Sequence, residues 1–490
     1  MQLLSQVRDC LTSRTEKAYL VGGSVRDSLI GRSSKDLDFA VSGNTESFGR
    51  QLSSRFDGTL IPLDISRDMW RVVVRSANVT STIDLSPLWD PVETDLARRD
   101  FTINAMAVDL SETGKPASEW KVLDPFGGVS DLRSQTLRVV SYNTFRNDPI
   151  RLIRGIRLAA QLDFRIDPLT VNSITTNSYL INNCSSERTR EELLAIFSSQ
   201  RLEWSLRMLS ETGLLEAIIP ELSQAKGVAQ PVEHYWDVYQ HSIQCPVMLS
   251  KILDSENTEF QELTKFVPLE PWIQAYFNET TSDAHSTGTI LKFAALLHDI
   301  GKPQTKTVEP SGKTRFLGHT TEGARIAGEI LHRLKFSGDG NDRISTIIEH
   351  HLRPSQLSQS GLLPSSKATH RFFRDLDDVA IDILFLSMAD YLAARGPDLD
   401  ITDWEKFCHR ITYTLQQKNQ VTVARGMNRL ITGDDLISIF SLTPGPRFRQ
   451  LLMFVEEAQA TGEIITRDDA IDLLASTIAT TSPNLEENHV

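Results

Sequence analysis

The segment YLVGGSVRDSLIGRSSKDLDFAV, residues 19–41, constrains the fold more than any other part of the chain. Its pattern predicts a strand, a double-glycine turn at Gly22 and Gly23, a short helix, and a second strand that carries Asp36 and Asp38. Because alternate residues of a strand point to the same face of a sheet, the two carboxylates are expected side by side. The segment therefore predicts a strand-turn-helix-strand unit with an acidic pair on one sheet face.

These residue types suit phosphate and metal chemistry. The glycines allow backbone N–H groups to approach a polyphosphate, and Arg26, one helical turn later, can hold phosphate oxygens. Two carboxylates at this spacing can share a pair of Mg2+ ions, as two-metal phosphoryl transfer requires. Asp84, in the β-rich run STIDLSP, is either a third carboxylate that accepts a proton from the attacking hydroxyl or a plain surface aspartate.

Length and charge limit the class of protein. A chain of 490 residues needs several domains, and a net charge of −13 argues against coating nucleic acid by bulk electrostatics. Between residues 133 and 165, however, seven arginines face only two aspartates, so a local RNA site is expected there. No uncharged apolar run approaches the ~20 residues of a membrane helix. Without that run, and without a CxxC pair among the four cysteines, we expect a cytoplasmic protein with no membrane partner.

Further motifs follow the first segment in a fixed order. They are DLARRDFTINAMAVDL at 95–110, DPFGGVSDL at 124–132, FRNDPIRLIRGIRLA at 145–159 and ERTREEL at 187–193. Together the blocks closely resemble the DNA polymerase β-like nucleotidyltransferases, in the form of class II CCA-adding enzymes and bacterial poly(A) polymerases. The resemblance covers residues 19–197 and implies a head with the catalytic sheet and a helical neck that reads the incoming base.

The resemblance also implies roles for the matching residues. The nucleotide-binding set is Gly22, Gly23, Arg26, Arg99, Asp148, Arg151, Arg154 and Arg157; the Mg2+ ligands are Asp36 and Asp38. Asp148 and Arg151 resemble a base-reading pair on one helical turn, where an acceptor and a guanidinium satisfy the Watson–Crick edge of cytosine or adenine. The alternative for the arginine row is a solvated face or a set of ion pairs; a row without acidic partners favours phosphate instead. Asn147 departs from the glutamate of many family members.

A second constellation consists of histidines and aspartates. It comprises His241 in DVYQHSI, His298 and Asp299 in LLHDIGK, His319 in FLGHTTEGA, His350 in IIEHHLRP and Asp390 in MADYLAARG. This order resembles the HD phosphohydrolase domain that some bacterial CCA-adding enzymes carry, and its ligands suit Ni, Mn, Fe or Zn. His350 is taken as the ligand, although the pattern does not separate it from His351. The alternative is a relic domain whose histidines only satisfy buried hydrogen bonds.

The patterns together predict an α+β chain. A polymerase β-like head with a mixed β-sheet is expected over 1–140, an all-α neck over 141–225, an HD metal-binding domain over 226–400 and a helical tail over 401–490. The turn-rich GVAQPVEHYWDV marks the boundary near residue 225.

The predicted function is addition of CCA to tRNA from CTP and ATP, with HD phosphohydrolase activity left open. Within the same class stand a CC- or A-adding enzyme and a poly(A) polymerase. Poly(A) polymerases tend to carry a strongly basic C-terminal extension, and the mildly acidic tail of this chain disfavours that alternative. Other classes are an HD metallophosphohydrolase with an RNA-binding head and a non-catalytic RNA-binding adaptor; the intact Asp36 and Asp38 argue against both. The oligomeric state is not predicted.

Overall fold

The computed structural model describes residues 2–11, 17–33, 35–76, 79–89, 91–256, 258–357, 362–418 and 429–480. The chain divides into two compact units, Met1–Pro220 and Glu221–Val490. The first unit contains a mixed sheet, and the second is helical apart from one hairpin within the described residues. The predicted α+β class is confirmed; the four-part division of the chain stays a prediction.

The first unit is built on a seven-stranded sheet with the order β3-β4-β5-β2-β1-β6-β7. Its strands are β1 Ala18–Val21, β2 Asp36–Val41, β3 Thr59–Asp64, β4 Met69–Ser76, β5 Val79–Pro87, β6 Ala107–Asp109 and β7 Val122–Leu123. Strands β2 and β5 pair in parallel and the other neighbours are antiparallel. Leu20, Phe39 and Ile83 are fully buried, so the predicted strand-turn-helix-strand unit forms the centre of the sheet.

Helices surround this sheet and then replace it. They are α1 Gln2–Leu11, α2 Gly23–Leu29, α3 Thr45–Phe56, α4 Val92–Leu96, α5 Gly128–Arg133, α6 Thr144–Asn147, α7 Arg151–Leu162, α8 Pro168–Asn177, α9 Ser186–Phe197, α10 Leu202–Glu211 and α11 Leu214–Ile218. A small parallel pair joins β8 Thr136–Leu137 to β9 Arg165–Ile166. In α7, a Cβ at Gly155 would lie 2.9 Å from Phe101 Cζ, so only glycine allows this close approach.

The second unit carries the remaining helices. They are α12 Val238–Leu253, α13 Gln261–Thr264, α14 Pro271–Asn278, α15 Thr287–Leu297, α16 Lys302–Thr305, α17 His319–Arg333, α18 Gly338–His350, α19 Arg353–Gln356, α20 Ser366–Leu376, α21 Ala380–Arg395, α22 Ile401–Gln416, α23 Gly433–Ser438, α24 Pro446–Ala460 and α25 Arg467–Thr480. A hairpin of β10 Lys306–Val308 and β11 Thr314–Phe316 interrupts them. Helices α12, α15 and α21 pack on one another, which brings distant parts of the chain together.

Short 3₁₀ turns connect the longer elements. They are Ile65–Arg67, Thr102–Asn104, Leu110–Gly114, Ala117–Glu119, Ser178–Asn183, Pro220–Ala225, Thr258–Phe260, Asp377–Val379 and Gly396–Asp398. No described helix combines the length and the apolar character that crossing a membrane requires.

Candidate active site and metal centre

The double-glycine turn brings three predicted residues to one point. The backbone φ of Gly22 is 72°, a value that residues other than glycine rarely adopt, and Gly23 is the first residue of α2. A Cβ at Gly22 would lie 2.5 Å from Arg99 Nη1 and 3.4 Å from Asp38 Oδ2. Arg99 is held by Asp95, whose Oδ2 lies 3.1 Å from Nη2. The Gly22 backbone, the Arg99 guanidinium and the Asp38 carboxylate therefore converge.

Three carboxylates lie on adjacent strands of the same sheet. In the parallel pairing of β2 with β5, Asp38 lies opposite Asp84 and Asp36 lies opposite Thr82, so all three carboxylates share one face. Ser24 Oγ accepts from Asp38 N at 2.9 Å and donates to Asp36 O at 3.0 Å. Thr82 Oγ1 donates to Asp36 Oδ1 at 2.6 Å. These bonds fix the acidic strand against α2 and set the direction of its side chains.

The crowding of these carboxylates is visible at Asp38. Burial raises the pKa of Asp38 to about 6; the Arg99 guanidinium opposes this shift, and the charges of Asp84 and Asp36 add to it. Arg154 of α7 also lowers the pKa of Asp38 through its charge, which indicates that this arginine faces the acidic site. Because burial and the neighbouring carboxylates make ionisation of Asp38 unfavourable, the site is suited to binding cations, which would offset this negative charge.

This crowding leads to a stability prediction for Asp38→Asn without divalent metal. The folded-state pKa lies above the unfolded value of 3.8, so the ionised carboxylate destabilises the fold, and its contribution to stability falls as pH rises from about 4 to 6. We expect the variant to be more stable than the wild type at pH 7.5 by about 1 kcal/mol after solvent screening. The gain should vanish near pH 4. Thermal unfolding in EDTA at both pH values measures it; a variant that is less stable at pH 7.5 contradicts the assignment.

Asp84 has a partner that sequence reasoning missed. Arg71 on β4 binds both of its oxygens, Nε to Oδ1 at 2.7 Å and Nη2 to Oδ2 at 2.8 Å. The only signal in the sequence was the alternation of RVVVR, which places Arg71 and Val73 on one face. A proton-accepting role for Asp84 requires Arg71 to release it, so this role stays a prediction.

Arg26 is buried, and its guanidinium is already occupied. Nε donates to Asp27 Oδ1 at 2.8 Å and Nη1 donates to Asn104 Oδ1 at 2.6 Å. Asn104, which sequence reasoning also missed, donates to Asp100 Oδ1 at 3.0 Å. The Arg26 side chain also packs against the turn, since a Cβ at Gly23 would lie 3.4 Å from Arg26 Nη2. Its predicted contact with phosphate remains untested.

The arginine row on α7 has acidic partners, contrary to the prediction from local charge. Arg157 Nε contacts Glu192 of α9, and Arg154 lies 3.7 Å from both Glu192 and Asp100. Glu192 stands 35 residues beyond Arg157, so counting neighbouring charges could not find it. The packing of α7 against α9 supplies this partner, which makes Arg157 part of an ion pair and leaves Arg154 as the more exposed member.

The expected placement of Asp148 and Arg151 on one helical turn is wrong. Helix α7 begins at Arg151, whereas Asp148 is extended with φ −150° and ψ 99°, because a residue before proline, here Pro149, avoids helical geometry. Asp148 Oδ2 accepts from Arg188 Nη2 at 2.9 Å. The Arg151 guanidinium instead donates to the carbonyl of Arg98 at 2.8 Å. The two side chains therefore have separate partners in this structure.

The histidines of the second unit do assemble into a cluster. His241 Nε2 lies 3.0 Å from Asp390 Oδ1 and 3.2 Å from His298 Nε2. Asp299 lies between the imidazoles, with Oδ2 3.2 Å from His298 Nε2 and Oδ1 3.5 Å from His319 Nε2. His241, His319 and Asp390 lie on α12, α17 and α21, and His298 and Asp299 directly follow α15. Two overlapping groups, one around each oxygen of Asp299, have the spacing of metal ligands.

The structure corrects the choice between the adjacent histidines of α18. His351 is buried, and its Nε2 lies 3.8 Å from Asp299 Oδ1, so it replaces His350 as the cluster member. Successive residues on a helix point about 100° apart, and therefore only one of the pair can face the cluster. Only the tertiary structure distinguishes His350 from His351, since both belong to the same EHH motif.

Backbone carbonyls orient most of these imidazoles. The Nδ1 atoms of His298, His319 and His351 lie 2.8, 2.7 and 2.7 Å from the carbonyl oxygens of Ala295, Phe316 and Ile348. A carbonyl can only accept, so each Nδ1 carries a proton and each Nε2 points toward the cluster. Nε2 is therefore the nitrogen that would bind a metal, after losing any proton it carries.

Electrostatics keeps the cluster carboxylates ionised. Burial opposes their charge, yet His298 and Lys302 hold the pKa of Asp299 well below its usual range, and bonds from His241 and His298 do the same for Asp390. Burial also opposes a charged imidazole at His298, but the two carboxylates outweigh it and raise the pKa of His298 to about 10. Ionised carboxylates beside convergent imidazoles are ready to bind a cation.

A further histidine was missed by sequence reasoning. His234 precedes α12, and its ring centroid lies 5.4 Å from that of His241. Burial and the charge of Lys302 lower the pKa of His234 to about 4. Its segment, EHYWDV, was interpreted only as a domain boundary, because a lone histidine among aromatic and turn residues has no ligand spacing of its own.

Family models match three parts of the chain in order. Residues 18–138 match a poly A polymerase head domain, 163–226 a probable RNA and SrmB binding site of polymerase A, and 238–395 an HD domain. The chain is 30% identical to an A-adding tRNA nucleotidyltransferase of Deinococcus radiodurans, over 92% of this chain and 94% of the relative. It is 30% identical to a CC-adding tRNA nucleotidyltransferase of Thermus thermophilus, over 92% of each.

Solved structures show the same fold. A complex of a CCA-adding enzyme with CTP superposes with a TM-score of 0.60 at 18% identity, covering 97% of this chain and 96% of the other. At this identity the likeness concerns the fold alone.

Proposed function

The chain belongs to the tRNA nucleotidyltransferase family, and from this premise we propose that it builds or repairs the CCA end of tRNA from CTP and ATP in the cytoplasm. The observation that carries the proposal is the convergence of the Gly22 turn, Arg99 and Asp38 beside Asp36 and Asp84. A glycine turn and a guanidinium suit a triphosphate, and the adjacent carboxylates suit its metal ions. The free thiols of Cys184, Cys245 and Cys408 support a reducing compartment.

Asp36 and Asp38 would hold a pair of Mg2+ ions. Their fit to a hard cation follows from the oxygen donors on one sheet face and from the raised pKa of Asp38. When bound, such ions neutralise triphosphate charge and activate the attacking hydroxyl. Arg99, which converges with Asp38 at the Gly22 turn, would orient the nucleotide.

In the neck, we assign base reading to Asp148 and Arg151, supported by the family motif and by their exchangeable partners. Among the described residues, the Arg151 guanidinium donates to backbone carbonyls, and burial lowers the pKa of Arg151 despite the charges of Asp100 and Asp148. Asp148 uses Oδ2 for Arg188. Binding of a base would bring the two side chains to one edge, the aspartate accepting from an exocyclic amine and the arginine donating to a ring nitrogen.

Replacing Asp148 with alanine tests this assignment. The variant should discriminate less against UTP and GTP, because an unmet hydrogen bond at the base edge costs about 1–3 kcal/mol. Arg151→Ala should do the same, while Glu187→Ala, an exposed acid on α9, should not. Incorporation efficiencies of all four nucleotides on tRNA ending at the discriminator base and at CC provide the measurement. Unchanged selectivity in both variants would place base reading elsewhere.

A partial specificity, CC or A addition alone, is the second candidate. It is favoured by the names of the two relatives that match over 92% of this chain, A-adding and CC-adding, and by Asn147 where many family members have glutamate. Transcripts ending before CCA, after C and after CC, supplied with CTP and ATP singly and together, distinguish the candidates. Complete synthesis needs both nucleotides on the shortest transcript, whereas either partial enzyme acts with one nucleotide only.

For the remaining domains we retain the division into head, neck, HD domain and tail. The matches at 18–138, 163–226 and 238–395 support its order. We also propose that the histidine cluster binds a transition metal such as Ni, Mn or Fe and hydrolyses phosphate esters. The donor set of imidazoles and carboxylates, with Nε2 atoms directed inward, supports this second activity.

A further inference from the structure

A cavity of about 580 Å³ opens beside the histidine cluster. Its lining includes Asp299, His319 and His351 and residues 313–317 of the β10–β11 hairpin. Sites for small organic ligands occupy about 300–1,000 Å³. The cavity therefore has room for a ligand much larger than a phosphate ion.

The floor of the cavity holds polar atoms that need a ligand. Among the described residues, the buried Asp299 Oδ1 and His319 Nε2 have no hydrogen-bond partner. Buried polar atoms are rarely left unmet in folded proteins. The floor thus fits the proposed metal and a bound oxygen ligand.

The nearest lysine is not available to a substrate. Lys302 lines the cavity, but it is buried and its Nζ lies 2.6 Å from Asp299 Oδ2 and 2.7 Å from Gln230 Oε1. Both contacts keep its ammonium inside the protein. Any cation that meets a substrate phosphate must therefore come from another element.

The hairpin supplies such cations. Lys313 and Arg315 are exposed and line the cavity. Arg315 Nε lies 2.8 Å from Glu309 Oε1, and Glu309 N donates to Lys313 O at 2.9 Å across the hairpin turn. Glu309 lies outside the lining, so this acid competes with any anion for Arg315.

The hairpin also presents an apolar surface to the cavity. Leu317 follows β11, is 78% exposed, and lines the cavity next to Phe316. A large exposed apolar side chain at the mouth of a pocket is suited to contact a ligand. Cations and an apolar side chain of the segment 313–317 therefore line the same cavity as the histidine cluster.

We propose that residues 313–317 of the β10–β11 hairpin are the substrate-binding segment of this cavity, where Lys313 and Arg315 bind the phosphate of an ester whose aromatic or apolar group packs on Leu317. The inference rests on the phosphoesterase activity proposed above. It adds the chemical class of the substrate and the residues that select it. The geometry assigns these residues to binding and leaves the bond-breaking step to the metal centre.

The test uses the full-length protein loaded with Mn2+ and bis(p-nitrophenyl) phosphate as the probe. Lys313→Ala should raise KM about tenfold, the cost of one lost charge-assisted hydrogen bond, with kcat and metal content unchanged. Glu309→Gln should lower KM because it frees Arg315. Lys306→Ala removes the same charge from the same hairpin outside the cavity lining, and it should change nothing.

Opposite signs for Lys313→Ala and Glu309→Gln would not arise from a purely structural role of the hairpin. Equal KM shifts in Lys313→Ala and Lys306→Ala, or a higher KM in Glu309→Gln, would overturn the inference. If the wild type hydrolyses no probe, the phosphoesterase proposal fails, and calorimetry with phenyl phosphate then decides the hairpin separately. Phenyl phosphate affinities that follow the order expected for the KM values support the binding role of the hairpin segment. Equal affinities in all variants contradict that role.

Discussion

Asp38→Ala will abolish nucleotide addition and leave the chain folded. The side chain lies opposite Asp84 and beside Arg99 at the glycine turn, where it would share the Mg2+ ions with Asp36. Removing a ligand from metals that hold the triphosphate and activate the hydroxyl should lower the rate by about three orders of magnitude or more. Single-turnover incorporation of labelled CTP and ATP into tRNA measures the loss.

Asp36→Ala should behave in the same way, since the two carboxylates act as one site. Glu93→Ala provides the matched control, because it removes an exposed acid from α4 of the same unit. Circular dichroism and thermal unfolding verify that each variant is folded. Near wild-type incorporation in either aspartate variant would show that catalysis lies elsewhere.

If the histidine cluster binds a transition metal as proposed, His298→Ala will remove that metal and the proposed phosphoesterase activity while nucleotide addition continues. His298 Nε2 lies 3.2 Å from both His241 Nε2 and Asp299 Oδ2, so its loss opens the centre of the ligand set. Loss of even a supporting residue costs metal sites about 10–100-fold in affinity, and a direct ligand contributes more. Metal analysis of the purified protein gives the direct readout.

Since His298 is fully buried, Asp390→Asn serves as a second variant that keeps the side-chain volume. His350→Ala is the control, because it removes a histidine adjacent to His351 but outside the cluster. Equal metal content in the wild type, His298→Ala and Asp390→Asn would reject the metal centre. A collapse of nucleotide addition in both folded variants would instead show that the two activities depend on each other.

The glycine turn and the acidic strand were predictable from the sequence because their geometry is local. A double glycine between a strand and a helix sets the turn, and spacing along one strand places Asp36 and Asp38 on one face. The HD motif likewise predicted His241, His298 and His319 as ligands by residue type, and the structure places them in one cluster. No long-range contact was needed to propose any of them.

The surroundings of Asp148 and Arg157 could be predicted only in part from neighbouring residues. The extended backbone of Asp148 follows from Pro149, because a residue before proline avoids helical geometry. Its partner Arg188 and the Glu192 partner of Arg157 come from α9, and helix packing alone determines such pairs. Local charge patterns contain no information about them.

The sequence by itself determined the α+β class, the strand-turn-helix-strand unit and the residue types of both sites, because backbone propensity and side-chain chemistry act over a few residues. Only the tertiary structure decided that Arg71 binds Asp84, that His351 rather than His350 joins the cluster, and that His234 and the β10–β11 hairpin border the same cavity. These outcomes depend on how distant strands and helices pack. Packing is set by the whole core, and no single segment encodes it.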